Sequence, residues 1–138
     1  MAQILATMHW EPQIDADDVE FVLGGSGSAP STQLSDAQMG LLDFDCCQKM
    51  QVDAGGVKLA VAAFFRNDPY YPRFIPGDEW LWEVFKKEYL VSSTSITGGD
   101  ITLAELLISS VEEQQAERKR RKQGMSARCI LAQGSTPE

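Results

Sequence analysis

Histidine is almost missing from this chain: His9 stands alone among 138 residues. Cysteine is scarce too, limited to Cys46, Cys47 and Cys129. Three thiols cannot build a disulfide framework, and an odd count suits a reducing compartment. A zinc centre needs about four ligands at workable spacing. Cys46 and Cys47 are neighbours that would point to opposite faces of a strand, and Cys129 is remote, so a zinc cofactor is not expected. Catalysis by a Cys–His pair would depend on His9. The plainer expectation is small buried thiols, one tail thiol, and a partly buried, hydrogen-bonding His9 beside Trp10. No run of 18 apolar residues exists, which excludes a transmembrane helix, and no membrane partner is expected. The opening MAQILATMHWEPQ lacks the basic start and long apolar stretch of a secretory signal. A cytoplasmic or nuclear location is expected. No internal repeat is visible.

What is present is ordinary for a folded chain, with 43% hydrophobic and 23% charged residues and a length of about one domain. The charge is uneven. Residues 1–99 hold 6 basic and 14 acidic side chains, whereas 100–138 hold 6 of each. A body of that sign repels phosphate backbones, so no direct nucleic-acid partner is expected.

The pattern predicts a helix over Ala2–Trp10, closed by Pro12, then the turn cluster Asp15-Ala16-Asp17-Asp18. Val19–Leu23 reads as a strand before Gly24-Gly25, and Met39–Cys47 as a second strand. Residues 24–38, rich in Gly, Ser, Pro and Thr, read as a flexible excursion. Asp53 is placed to cap a helix over Gly55–Arg66, with Val57, Ala60, Val61, Phe64 and Phe65 on its buried face. Asp78 is expected to cap a helix over Glu79–Val91. Its core stripe is Leu81, Trp82, Phe85 and Tyr89, widened by Trp80 and Val84. Ser92–Gly99 reads as a loop. A last helix runs from Asp100 to about Lys122, with its apolar stripe Ile101, Ala104, Leu107, Ile108 and Val111 ending at Val111. Tyr70, Tyr71, Phe74, Trp80 and Trp82 could line a pocket, and core plus exposed rim is the plainer expectation.

Leu41-Leu42-Asp43-Phe44-Asp45 is the sharpest chemical signal, because a strand ending in a carboxylate can meet a hard cation. Asp15, Asp17 and Asp18 stand before the other strand. Helix, loop, strand, strand and terminal Asp is the segment order of a kinase-like C-terminal lobe, with Asp43 and Asp18 as the candidate Mg²⁺ ligands. Four features depart from it: no Gly-rich phosphate loop or strand lysine, no catalytic-loop Asn, Asp45 where Gly would stand, and no visible Lys or Arg partner for a triphosphate beside Asp15, Asp17, Asp18, Asp43 and Asp45. A solvated turn and cap is the plainer expectation for Asp15–Asp18.

The stretches MHWEPQIDADDVEFVLGG, LLDFDCC, GGVKLAVAAFFRNDPYYPR and LWEVFKKEYLVSS resemble a family of uncharacterised fungal proteins often labelled "zinc finger protein". The resemblance covers about residues 1–96 and implies the C-terminal part of a longer family domain. It brings no activity with it, although its fungal setting makes an accessory role in secondary metabolism conceivable.

The expected fold is α+β and mostly helical, a β-hairpin-like pair packed against three or four helices. Residues 1–111 form the globular domain, and 112–138 a solvated helical extension and disordered tail. The expected function is a non-catalytic accessory or protein-binding module with a protein partner, in effect a truncated kinase-like fragment. The alternatives are a Mg-dependent phosphotransferase relic using Mg-ATP, and a nuclear regulatory protein. The last would be read through the import-like run Arg118, Lys119, Arg120, Arg121 and Lys122.

Overall fold

The computed structural model of the chain describes residues 1–25, 37–67 and 71–133. They form α1 (Ala2–Trp10), β1 (Glu20–Gly25), β2 (Ala37–Leu42), α2 (Ala54–Arg66), α3 (Glu79–Thr97) and α4 (Thr102–Gln133). The fold is α+β and mostly helical. Residues 26–36 of the expected excursion, and Tyr70, lie outside the described residues.

α1 packs on α3, and α2 and α3 pack on α4. Phe64 of α2 sits where these helices meet, its ring 5.5 Å from that of Tyr71, 6.3 Å from Trp82 and 6.0 Å from Phe85. Along α3 the rings of Trp82, Phe85 and Tyr89 stack in series at 5.5 and 6.2 Å. Spacings of three and four residues put them on one face, which explains why this stripe is the centre of the core. Ala104, Leu107, Ile108 and Val111 complete it from α4.

Three expectations are corrected. The second strand stops at Leu42, because Asp43 turns into the left-handed region (φ 60) and residues 43–47 form a turn. Asp43 and Asp45 therefore do not share one face of a strand. α3 continues six residues past Val91. The hydroxyls of Ser93, Thr94 and Thr97 donate back to the carbonyls of Tyr89, Leu90 and Ser93 at 2.7, 2.8 and 2.8 Å, so residues that read as loop formers are absorbed into the helix. It ends at Gly98, whose φ of 69 suits glycine. Finally, Leu81, Trp80 and Val84 lie on the exposed side of α3 rather than in its core.

The hairpin pairs Phe21 with Leu41 and Leu23 with Met39. Phe21 and Leu41 pack against the core, while Leu23 and Met39, further along the same face, are exposed.

α4 continues beyond Val111 through polar contacts. Glu112 accepts from the Trp82 indole at 2.9 Å and from Lys86 at 3.2 Å. Gln115 donates to the Phe74 carbonyl at 2.8 Å.

Candidate functional site

The four-residue acidic loop is built into the body rather than left solvated. Asp15 is buried, and its carboxylate accepts the backbone amides of Gln48 and Asp17 at 2.9 and 3.2 Å. Asp17 receives the Arg66 guanidinium on both oxygens, at 3.0 Å from Nε and 2.7 Å from the terminal nitrogen. Asn67, at the C-terminus of α2, accepts the Asp18 amide at 2.6 Å and donates to the Ala16 carbonyl at 2.8 Å. The Tyr71 hydroxyl donates to the Val19 carbonyl at 3.0 Å. Ala16 and Asp18 both hold left-handed backbone, φ 57 and 62, a conformation non-glycine residues adopt only when their surroundings impose it. Arg66-Asn67 followed by Tyr71 is therefore the clamp of this loop. Its chemistry is structural.

Asp18 and Asp43, the candidate Mg²⁺ pair, are both exposed. They are brought to one neighbourhood beside Cys46. The Cys46 thiol hydrogen-bonds Asp18 and feels Asp17 and Asp43, which together raise its pKa. Burial, reinforced by Asp15, raises the Cys47 thiol to about 11. Among the described residues no group of three His, Cys, Asp or Glu side chains is placed to hold a metal ion.

A zinc centre does not fit these donors. The Nδ1 of buried His9 meets the Tyr89 hydroxyl at 2.8 Å, and the ring also hydrogen-bonds the Asp15 backbone. Burial lowers its pKa to about 4, so the imidazole is neutral near pH 7, with Nδ1 engaged by Tyr89. The Cys129 side chain lies outside the described residues.

A second site lies between residues 73–76 and α4, a groove of about 610 Å³. Its floor is apolar: Phe65, Phe74, Ile75 and Pro76. Phe74 and Ile75 are 52% and 44% exposed, so this floor is open. Its wall is cationic, with Arg73, Arg118, Lys119, Arg121 and Lys122. Arg118 sits over the Phe65 ring, 4.2 Å from its centre, and Arg73 lies 5.4 Å away, both within cation–π range. Arg121 is paired with Glu117 at 2.6 Å. Gln115 also lines the groove, and its Oε1 is buried with no hydrogen-bond partner among the described residues.

Of the import-like run, the helix brings Arg118, Lys119, Arg121 and Lys122 to the groove, and Arg120 is not in its lining. Phe74 belongs to the aromatic set that could line a pocket, whereas Ile75 and Gln115 escaped sequence reasoning as site residues. The signal available for them was Gln115 three residues before Arg118 and four before Lys119, the spacing of one helix face.

No helix among the described residues is long and apolar enough to cross a membrane. Residues 39–100 match the family described as "zinc finger protein". That span covers the turn with Cys46 and Cys47, α2, its Arg66-Asn67 clamp and α3. No curated protein matches the chain, and no solved structure does.

Proposed function

We propose that the chain is a non-catalytic protein-binding module whose recognition surface is the groove between residues 73–76 and α4. The observation carrying this reading is an open apolar floor beside a wall of cations, on a chain whose first 99 residues hold 14 acidic and 6 basic side chains. Apolar surface flanked by charge is the composition of a docking patch. The acidic loop supports the non-catalytic half of the reading. Asp15 and Asp17 spend their carboxylates on backbone amides and on Arg66, so the Arg66 guanidinium is already paired rather than held for a nucleotide phosphate.

One observation favours a second reading, a kinase-like phosphotransferase relic: Asp18 and Asp43 both act on the Cys46 thiol, so two carboxylates do share one exposed neighbourhood. A thermal melt with and without Mg-ATP separates the two readings, because a ligand that binds the folded state raises its melting temperature. The binding module predicts no shift. A rise that disappears in Asp43→Ala would replace it with the phosphotransferase reading.

A further inference from the structure

Resting on that reading, we infer that the groove takes an acidic peptide segment carrying at least one large apolar side chain, supplied by a partner protein. Two features of the groove select this chemistry. Phe74 and Ile75 are half-exposed and offer apolar surface that only an apolar side chain would cover with gain. Arg118, Lys119 and Lys122 stand above that floor on one face of α4, where carboxylates could reach them. The acidic body opposes the alternative of a nucleic-acid strand, since a long polyanion tracking past the groove would meet the excess of carboxylates on residues 1–99. A short acidic segment confined to the groove meets the cations alone.

Within the wall, Arg118 and Lys122 carry most of the expected selectivity. They lie one helical turn apart, and among the described residues neither has an ion pair like the one Glu117 gives Arg121. Arg118 is already spread over Phe65, so its guanidinium plane is pre-ordered while its N–H edges remain available to a carboxylate.

The test is selection of a displayed library of random dodecapeptides on the purified full chain. A parallel selection uses the double variant Arg118→Glu with Lys122→Glu. Both positions are exposed, and an unchanged thermal melt of the variant checks its fold. The wild-type chain should enrich peptides with excess Asp and Glu and an aromatic or branched aliphatic residue. Fluorescence anisotropy of the leading peptide should show binding weakened at least about tenfold by the double variant, and also by raising salt well beyond physiological strength. Phe74→Ser should weaken it comparably.

Enrichment of neutral apolar peptides that the double variant binds equally well would overturn the acidic partner while leaving the binding-module reading intact. Recovery of no groove-dependent peptide would overturn both. If the chain instead self-associates at low salt in sedimentation, and the double variant abolishes this, the occupant is a second copy and the peptide partner is overturned. Tighter binding of a labelled single-stranded oligonucleotide than of any selected peptide would overturn it as well.

Discussion

The Asn67 side chain accepts the Asp18 amide at 2.6 Å, joining the end of α2 to a loop 49 residues earlier. The Asn67 side chain also donates, through Nδ2, to the Ala16 carbonyl at 2.8 Å. Asn67 is buried, so cutting this link takes a partner from two backbone groups. Asn67→Ala should cost about 2–6 kcal/mol in urea unfolding, at about 1–3 kcal/mol for each of the two groups. Arg66→Ala, beside it, should cost less than about 1 kcal/mol, because the pair with Asp17 is solvent-exposed on the arginine side.

His9 makes stability depend on pH. Its pKa is about 4 in the folded chain against 6.5 for a free imidazole, so the unfolded chain binds more protons between those values. Stability attributable to His9 is therefore fully present above pH 6.5 and is lost as pH falls toward 4. The full loss is about 3 kcal/mol, at about 1.4 kcal/mol for each pH interval of one. Chemical denaturation at a series of pH values should show this slope, and a His9→Gln chain should show a flatter one.

Glycine-to-alanine changes should differ in sign along the chain. A Cβ at Gly56 would lie 1.8 Å from the Gln51 carbonyl oxygen, so Gly56→Ala must displace backbone and should cost more than about 2 kcal/mol. Gly124, inside α4, has open space around it, and Gly124→Ala should stabilise by up to about 1 kcal/mol. Paired thermal melts read both.

The Cys46 thiol should alkylate slowly near neutral pH despite its exposure, since thiolate is the reactive form and its carboxylate neighbours disfavour it. Asp18→Asn removes the largest of these influences and should speed iodoacetamide labelling at Cys46. Peptide mass mapping resolves Cys46 from Cys47, which should stay slow because burial is the main cause of its raised pKa. Unchanged Cys46 labelling would mean that Asp18 and Cys46 are not neighbours in solution.

The helices were legible wherever apolar spacing spoke for itself. Val57, Ala60, Val61 and Phe64 marked the buried face of α2, and Asp53 marked its start by accepting the Gly56 amide at 2.8 Å. The end of α3 was hidden because Ser93, Thr94 and Thr97 look like loop formers until their hydroxyls find carbonyls one turn back. Asp43 was taken into a strand because nothing local announces a positive φ at an aspartate. The acidic loop misled for another reason. Four residues of sequence cannot show that Gln48, Arg66 and Asn67 will arrive to bind them. Likewise Arg118 belonged to a run of cations in the sequence, and its place over Phe65 depends on a contact 53 residues away that only the fold creates.

The length of α4 has an electrical consequence. At 1.5 Å per residue, the stretch from Gln123, the last residue lining the groove, to Gln133 spans about 15 Å. Ionic fields in physiological salt decay over about 8 Å. The last turns of α4 are thus insulated from the acidic body by distance alone. A molecule approaching that end responds to the charges of the helix itself, while one approaching α1 or the hairpin meets the full negative field.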